Sequence, residues 1–434
     1  MFKRIAGTKD ILPQETDFWL KIEKISRRVF SLYNYRQIRP PLIEEAALFN
    51  RSLGESAEIV QKQMFLIRNN SELYALRPEG TASVVRAYVE NNLEKKDGLV
   101  KLYYTGPMFR LERPQKARLR QFHHLGCEVI GAYQPYIDIE VISLADRLLK
   151  DFGIGGYKVR LNSLGCAKDK SNLSSILYDK LKIKLNELCS DCQARFERNS
   201  LRILDCKNES CQVVVQGLEI GNGHLCQECR IHFEQVKQGL TLLGVDYSCS
   251  EYLVRGLDYY TRTVFEFTHP DLGRQQDALG AGGRYDNLVG DLGGNAAGAI
   301  GFAFGMERLL MVSGPLPTAQ SNDLVYLITM GEAARKTGIT ILRDLRQAGI
   351  SADTDYENRS LKGAMRRAND LGAASVLILG DNELQNKSIT LKDLTTGNQR
   401  EVAISTVVQE LLINREPRTL PIRKAGTDHE SRIK

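Results

Sequence analysis

Hydrophobic residues near the start of the chain recur at three- and four-residue steps, the spacing of one face of an α-helix. The pattern predicts an amphipathic helix over residues 14–33, and its apolar stripe consists of Phe18, Ile22, Ile25, Val29 and Leu32. A pair of prolines then breaks the pattern, and short β-type runs at 63–68 and 72–80 predict strands. Helical spacing returns over residues 81–91. This part of the chain is therefore predicted to mix helices and strands.

Residues 99–110 and 120–130 are rich in β-branched and aromatic residues and flank a basic, polar segment, so they predict an antiparallel hairpin with a long connection. The second strand contains RQFHHLGCE, whose histidines, cysteine and glutamate are all possible metal ligands. Because side chains alternate across a strand, His124 and Glu128 share one face and Cys127 lies on the other. This alternation argues against a single four-ligand metal site.

Residues 166–245 have a different character, because they are helical, charged and contain seven of the nine cysteines. A β-type pattern returns over residues 250–269. Two CxxC pairs within residues 166–245 have the spacing of zinc knuckles, and two more cysteines lie between them. The pattern predicts an inserted module with a structural zinc site, although a set of reduced, partly buried thiols is the alternative. The candidate ligands exceed the four positions of a tetrahedral site, and they are Cys189, Cys192, Cys206, Cys211, Cys226 and Cys229.

Strands and helices alternate over residues 323–414, which is typical of a small α/β domain. A linker is predicted over 313–323, so that residues 1–320 form a separate, larger domain. The tail 415–434 is polar, charged and poor in core residues, and is predicted to be disordered.

Composition narrows the class of protein only slightly. The chain has 434 residues, 42% of them hydrophobic, and a net charge of +6. That charge permits a polyanionic partner but does not require one. No apolar run is long enough to cross a membrane, and the amino-terminal segment lacks the apolar centre of a signal peptide. We therefore expect a cytosolic protein with reduced cysteines.

Arginines stand beside glycines or between apolar strand residues at three separate places. Arg110 ends the first hairpin strand, Arg118 lies in its loop, Arg255 precedes a glycine, and Arg308 follows the small-residue run GAIGFAFG. Arginine forks suit phosphate and carboxylate oxygens, although any one of these side chains taken alone is better explained as a solvated surface charge. Neither a Walker sequence nor a GxGxxG that opens a helix is present. If ATP binds, it must therefore bind on an antiparallel sheet.

Three longer stretches resemble the motifs of class II aminoacyl-tRNA synthetases. RPPLIEEAALF is similar to motif 1, with its proline at the dimer interface, YYTGPMFRLERPQKARLRQFHHLGCEVIG to motif 2, and GAIGFAFGMERLL to motif 3. Within that class, GTKDILP, LRPEGTA, LVRGLDYYTRTVFE and GAGGRYDNLV resemble segments peculiar to histidyl-tRNA synthetases. The resemblance covers nearly the whole chain, including the carboxy-terminal domain.

The resemblance implies an α+β fold, namely a class II antiparallel-sheet catalytic domain with a helical, cysteine-rich insertion, followed by a small α/β anticodon-binding domain. It also implies a homodimer that binds L-histidine, ATP with Mg2+, and tRNA(His). In that family the carboxylate of histidine attacks the α-phosphorus of ATP, and the histidyl group then passes to the terminal ribose of the tRNA. Because no protein nucleophile is needed, positioning and charge neutralisation should dominate.

The same resemblance assigns the charged residues around ATP. Arg110 and Arg255 match the arginines that grip the α-phosphate and the substrate carboxylate. Arg118 and Arg308 match those on the γ-phosphate side, with Arg308 also against the adenine. Glu112 matches an acid of the motif 2 loop near the adenine.

The resemblance also implies a histidine pocket. Glu79 and Thr81 match the residues that hold the α-amino group. His124 stands where many family members carry a glutamine that contacts this group. A neutral imidazole can accept a hydrogen bond from the ammonium, whereas a protonated one would repel it. The residues expected around the imidazole ring are Glu128, Tyr259, Tyr260 and Tyr285.

Two other functions have to be weighed against the ligase. A non-catalytic paralogue, the regulatory subunit of short-form ATP phosphoribosyltransferase, shares the catalytic fold. That paralogue lacks the anticodon-binding domain and the LVRGLDYY segment, and this chain has both. A generic ATP-binding α+β protein would leave the three ordered motifs unexplained.

Overall fold

The computed structural model describes residues 2–55, 57–115, 118–221, 223–273, 277–314 and 323–413, which fall into two compact units that divide at residues 316 and 317. The helices of the first unit are α1 (Pro13–Leu32), α2 (Ala46–Leu53), α3 (Thr81–Glu90), α4 (Glu94–Asp97), α5 (Pro135–Asp151), α6 (Ala167–Lys182), α7 (Ser190–Phe196), α8 (Glu209–Gln216), α9 (Gln227–Leu242), α10 (Leu288–Asp291) and α11 (Met306–Val312). Its strands are β1 (Arg36–Gln37), β2 (Ile43–Glu45), β3 (Phe65–Asn69), β4 (Glu72–Leu76), β5 (Val100–Phe109), β6 (Gln121–Ile130), β7 (Lys158–Ser163), β8 (Tyr247–Cys249), β9 (Thr261–Thr268), β10 (Ala278–Arg284) and β11 (Ala299–Gly305).

An eight-stranded sheet in the order β1-β5-β6-β11-β10-β9-β7-β8 forms the centre of the first unit. Its central strands are all antiparallel, and only the two edge pairs, β1 with β5 and β7 with β8, are parallel. A separate three-stranded antiparallel sheet has the order β2-β4-β3. The arrangement explains how a ligand site can form without a parallel sheet, because one face of the antiparallel strands remains open to the cavity described below.

The predicted hairpin is confirmed, since β5 and β6 pair along their full length with Phe109 opposite Gln121. The predicted alternation in β6 is also confirmed. Leu125 and Cys127 are buried in the hydrophobic core on one side of the sheet, whereas His124 lines the cavity on the other. The alternation of side chains across the strand therefore separates structural residues from candidate ligand-binding residues.

Helix α1 starts at a proline, which has no N–H to leave unpaired in the first turn, and covers the closed face of the sheet. Its buried stripe consists of Trp19, Ile22, Val29 and Phe30. The sequence pattern extended this stripe to Leu32, which is wrong, because that side chain is 72% exposed at the end of the helix.

The segment 166–245 is helical as predicted, and short 3-10 turns lie between α6 and α7 and between α7 and α8. Helix α9 lies close along α5, because a Cβ at Gly239 would come within 2.1 Å of Cδ1 of Ile139. The β-type pattern expected from residue 250 onward begins only at Thr261, and residues 250–260 form turns instead. The adjacent residues Tyr259 and Tyr260, which suggested a strand there, both line the cavity. In a strand, two adjacent side chains would point to opposite faces.

The second unit is an α/β fold, as the alternating pattern predicted. Its sheet has the order β13-β12-β14-β15-β16, parallel among the first three strands and antiparallel in the last pairs, with a separate hydrophobic cluster on each face. The predicted linker is described only at 313–314 and 323, and the predicted disorder of residues 415–434 falls outside the described residues. The elements are β12 (Val325–Thr329), α12 (Glu332–Gln347), β13 (Ala352–Thr354), α13 (Leu361–Asp370), β14 (Ser375–Leu379), α14 (Asp381–Gln385), β15 (Ser388–Asp393), β16 (Gln399–Ala403) and α15 (Val407–Ile413).

Candidate active site

A cavity lies on the open face of the eight-stranded sheet, lined by β6, β10, β11 and the turns before α3 and β9. The structure brings together in it nearly all the residues that the sequence nominated for histidine and ATP. Glu128 lies just beneath, where its carboxylate contacts three side chains of the wall. The nominated residues that line the cavity directly are Glu79, Thr81, Arg110, Glu112, Arg118, His124, Arg255, Tyr259, Tyr260, Tyr285 and Arg308.

Glycines in the strands provide the depth of the cavity. A Cβ at Gly301 would come within 1.8 Å of Oε2 of Glu128, and one at Gly126 within 2.6 Å of the Tyr104 hydroxyl. Both glycines therefore leave space for polar side chains of a neighbouring strand, which explains why glycine stands at these positions of β6 and β11.

A buried carboxylate with phenolic partners forms the inner end of the cavity. Thr81 Oγ1 donates to Glu128 Oε1 at 2.7 Å, Tyr104 donates to the same oxygen at 3.2 Å, and Tyr285 donates to Oε2. The pKa of Glu128 is raised to about 8. Burial is the largest cause of this rise and the charge of Glu79 adds to it, while the three hydrogen bonds oppose it. The inner end can therefore exchange a proton near neutral pH, a property that few side chains have without such burial.

Glu79 is the second buried carboxylate of the site and caps the start of α3. Its two oxygens accept from the backbone N–H groups of Thr81 and Ala82, each at 2.7 Å. Burial raises its pKa, and these backbone N–H groups oppose that shift. A cation placed against Glu79 would compensate the buried charge that the two N–H groups only partly neutralise.

His124 lies between the carboxylate end and the arginines. Its buried Nδ1 has no hydrogen-bond partner among the described residues. Burial lowers the pKa of His124 well below its ordinary value, and the charges of Arg110 and Arg308 lower it further. The ring is therefore neutral at physiological pH, and Nδ1 is available to an incoming group.

The outer half of the cavity is strongly cationic. Arg308 donates to the Ala278 carbonyl at 2.6 Å, Arg110 donates to the Pro78 carbonyl at 2.9 Å, and Arg118 pairs with Glu112 at 3.0 Å. Burial lowers the pKa of Arg308, and repulsion from the other two arginines adds to that effect. Cations gathered at this density are favourable when an anion separates them.

Arg255 comes from the turn that precedes β9. Its Nη1 donates to Glu266 Oε1 at 2.6 Å, while its buried Nε has no hydrogen-bond partner among the described residues. Glu266 also lies 3.8 Å from Arg160. The carboxylate thus orients Arg255 and leaves part of the guanidinium group for a ligand.

Among the lining residues that sequence reasoning missed are the aromatic residues Tyr104 and Phe122 and the charged residue Glu307. The alternation in the hairpin could have identified the first two, because Tyr104 pairs with Gly126, and Phe122 precedes His124 by two residues on the same face. Glu307 could not have been found in this way, because its contact with His123 joins residues that are far apart in the chain.

The cysteines of the insertion form two groups rather than one. The distal cluster consists of Cys189, Cys192, Cys206 and Cys211, and the junction cluster consists of Cys166, Asp169, Cys226 and Cys229. In each group the potential ligand atoms all lie within 4.8 Å of one another. The two CxxC pairs, which the sequence left free to share one ion, therefore belong to different groups, and the second group recruits two residues that were not nominated as ligands.

The open antiparallel sheet with an arginine-lined cavity, followed by a separate α/β unit, is the fold of class II aminoacyl-tRNA synthetases. A family model described as histidyl-tRNA synthetase matches residues 7–309, and one described as an anticodon binding domain matches residues 324–414. The chain belongs to the histidyl-tRNA synthetase family.

Similar proteins cover almost the whole chain. It is 43% identical over 414 residues to a histidine–tRNA ligase of Halothermothrix orenii, which covers 94% of this chain and 98% of the relative. The corresponding ligase of Desulforamulus reducens is 44% identical over 409 residues, covering 93% and 97%. The crystal structure of apo histidyl-tRNA synthetase from S. aureus superposes with a TM-score of 0.78 at 35% identity, covering 95% of this chain and 100% of that one.

Proposed function

We propose that this chain is a histidine–tRNA ligase, which activates L-histidine with ATP and transfers the histidyl group to the 3' end of tRNA(His). The observation that carries the proposal is the polarity of the cavity. Its inner end presents buried carboxylates, phenols and a neutral histidine, and its outer end presents four arginines. This combination suits a small cationic amino acid next to a polyphosphate.

The inner end fits the groups of histidine. The α-ammonium group can be held by Glu79 and can donate to the free Nδ1 of His124. The imidazole can share a proton with Glu128, while Tyr259, Tyr260 and Tyr285 surround it. An amino acid of the same size without ring nitrogens could not share the proton of Glu128, and that buried group would lose its only partner from the substrate.

The outer end fits MgATP as the second substrate. In the first step a carboxylate oxygen of histidine bonds to the α-phosphorus, the bond to the bridging oxygen of the β-phosphate breaks, and pyrophosphate leaves with that electron pair. Arg110 and Arg255 can neutralise the charge that develops on the α-phosphate oxygens. Arg118 and Arg308 can bind the leaving pyrophosphate, and Glu112 orients Arg118. This division of roles supplies the charge stabilisation that such a displacement requires.

In the second step the terminal ribose hydroxyl of tRNA(His) attacks the carbonyl carbon of histidyl-adenylate and AMP leaves. The second unit supports an RNA partner through exposed cations on α12 and α13. The exposed cations are Lys336, Arg343, Arg346, Lys362, Arg366 and Arg367.

We further propose that the active form is a homodimer, as the resemblance to motif 1 implies, and that it works in the cytoplasm. No helix among the described residues is long and apolar enough to cross a membrane.

The regulatory-subunit alternative receives less support. A Bacillus halodurans structure described as an ATP phosphoribosyltransferase regulatory subunit/histidyl-tRNA synthetase shares 22% identity and a TM-score of 0.63, which indicates a common fold only. The LVRGLDYY turn contributes Arg255, Tyr259 and Tyr260 to the cavity, so the segment that a regulatory paralogue is expected to lack is part of the site here.

The test is histidine-dependent exchange of pyrophosphate into ATP by the purified full chain. We expect exchange that requires L-histidine and is not supported by other amino acids. No exchange above background would refute the ligase and favour the regulatory alternative. Charging of a tRNA(His) transcript then tests the second step separately.

We also propose that the distal cluster binds a structural zinc ion. A tetrahedral zinc with bonds of about 2.3 Å to sulfur places neighbouring sulfurs about 3.8 Å apart. The Sγ atoms of Cys189 and Cys206 are 3.9 Å apart, and backbone N–H groups of Cys189 and Asn208 donate to Cys211 and Cys206. Metal analysis of protein purified without chelators tests the site, and less than about 0.3 zinc ion per chain would refute it.

A further inference from the structure

The junction cluster lies near the point where the insertion leaves the eight-stranded sheet, at the amino-terminal ends of α6 and α9. Cys166 follows the end of β7 and caps α6, and Asp169 lies in the first turn of that helix. Cys226 caps α9 and Cys229 lies in its first turn. The four residues therefore join the start of the first helix of the insertion to the start of its last helix, which are far apart in the chain.

The side chains of the junction cluster are arranged for a common ligand. The N–H of Cys166 donates to Sγ of Cys229 at 3.2 Å and lies 3.3 Å from Oδ2 of Asp169. Asp169 and Cys229 are both about 1% exposed. Gly165 has φ +71°, and a Cβ there would come within 2.3 Å of the Asp169 Cβ, so the tight turn holds the carboxylate against the thiols. Three sulfurs and one carboxylate oxygen within 4.8 Å of one another form a closed tetrahedral set for a thiolate-preferring divalent cation.

The surrounding contacts tie this cluster to the catalytic sheet. Arg262 has φ +45°, and its N–H donates to the Gly165 carbonyl at 2.7 Å while its own carbonyl accepts from Leu164 at 2.8 Å. Its Nη2 donates to Glu228, which stands between Cys226 and Cys229, at 2.7 Å. A positive side chain beside the cluster offsets the negative charge that three thiolates and a carboxylate keep after binding one divalent ion.

The cluster is also connected to the cavity through one residue. Lys170 directly follows Asp169, and its Nζ donates to the Asp258 carbonyl at 2.5 Å and to the Tyr260 carbonyl at 3.2 Å. These carbonyls flank Tyr259 in the turn that lines the histidine end of the cavity. Fixing the first turn of α6 therefore fixes the backbone of this turn.

We propose that Cys166, Asp169, Cys226 and Cys229 bind a second structural zinc ion, independent of the distal cluster, which holds the amino-terminal ends of α6 and α9 together and positions the tyrosine turn through Lys170. The metal site itself does not depend on the proposed ligase function. Its positioning effect rests on that function.

Metal content of the full chain tests the site. We expect two zinc ions per chain in the wild type and one in Cys226→Ser, in Asp169→Asn and in Cys206→Ser, the last of which breaks the distal cluster instead. Cys249→Ser is the matched control, because Cys249 is an exposed free cysteine outside both groups, and it should keep two. The proposed junction site is refuted if Cys206→Ser contains no zinc, or if Cys226→Ser keeps two ions.

Two further variants separate ligation from folding. The amide of Asp169→Asn can still accept the Cys166 N–H but is a poor zinc ligand, so the helix cap remains while the ion is lost. Asp169→Cys replaces the carboxylate with a fourth thiolate, so this variant should still bind two zinc ions per chain. Loaded with cobalt(II) instead, it should show the visible absorption of two tetrahedral thiolate sites. Failure of Asp169→Cys to bind the second ion, with the fold intact by circular dichroism, would overturn the site.

Kinetics test the positioning. In pyrophosphate exchange, Asp169→Asn should raise the KM for histidine by roughly fivefold, equivalent to about 1 kcal/mol, and leave the KM for ATP within twofold. Equal changes in both would overturn the link through Lys170 while the metal counts still decide the site. A wild type with two zinc ions and no exchange would refute the ligase and leave the metal site standing.

Discussion

Arg255 provides the most direct test of the site, because its substitution removes one ligand-binding arginine and still leaves Glu266 with a second arginine nearby. Arg255→Ala deletes the guanidinium that donates to Glu266, and Glu266 keeps Arg160 at 3.8 Å. The side chain is 22% exposed, so its loss opens no sealed cavity in the core. We therefore expect the variant to fold and to keep the oligomeric state of the wild type.

The expected loss follows from the free part of the guanidinium. Nη1 is held by Glu266, which leaves Nε and Nη2 for the substrate carboxylate and the α-phosphate. Hydrogen bonds to charged groups contribute about 1.5–3 kcal/mol each. Two such bonds give roughly 3–6 kcal/mol, or about 10²–10⁴-fold in kcat/KM for the activation step.

The assay is histidine-dependent pyrophosphate exchange, with size-exclusion chromatography to confirm the oligomeric state. Arg160→Ala is the matched control, since it removes the other arginine near Glu266, is 41% exposed and does not line the cavity. We expect it to stay within about threefold of the wild type, less than 1 kcal/mol. If Arg255→Ala keeps exchange within about tenfold, roughly 1.4 kcal/mol, the role assigned to Arg255 is wrong.

Three other predictions concern the inner end of the cavity and a buried ion pair in which Arg284 Nε donates to Asp138 Oδ1 at 2.6 Å. Because His124 is a neutral acceptor, His124→Gln should keep the wild-type KM for histidine. His124→Leu should raise this KM about tenfold, because it loses one hydrogen bond to the substrate. Equal KM values for the two variants would exclude the contact. Burial raises the pKa of Glu128 to about 8, so the free site loses its proton above that pH, whereas the substrate imidazole gains one below roughly 6.5. The kcat/KM for histidine should fall on both sides, and an alkaline limb that persists unchanged in Glu128→Gln would contradict the assignment. Arg284→Met should lower the free energy of unfolding by about 3–5 kcal/mol, because it leaves the fully buried Asp138 without its arginine. Urea titrations followed by Trp19 fluorescence measure this change. Arg147→Met, at an exposed position, is the control and should change the free energy of unfolding by less than about 1 kcal/mol.

Local pattern was enough to predict most elements of both units, because each element carries its own periodicity. The α1 stripe, the β5–β6 hairpin and the alternating elements of the second unit all followed from spacing alone. The division of β6 into a core face and a cavity face also followed, since it depends only on the alternation of side chains along one strand. Leu32 was misassigned because the periodic pattern cannot show where a helix stops contacting the sheet.

Contacts between distant segments could not be predicted in this way. The residues 250–260 have the composition of a strand, but they turn under the cavity because Lys170 and the glycine-lined strands hold them there. The raised pKa of Glu128 likewise depends on burial by groups from other strands and from α3.

The sequence by itself determined most of the elements, the family resemblance and most of the charged residues in the cavity, because these are properties of single segments. Only the tertiary structure decided which segments meet. It assigned six candidate cysteines to two separate groups and added Cys166 and Asp169 to one of them, because ligand geometry depends on the distance between α6 and α9 and not on spacing along the chain.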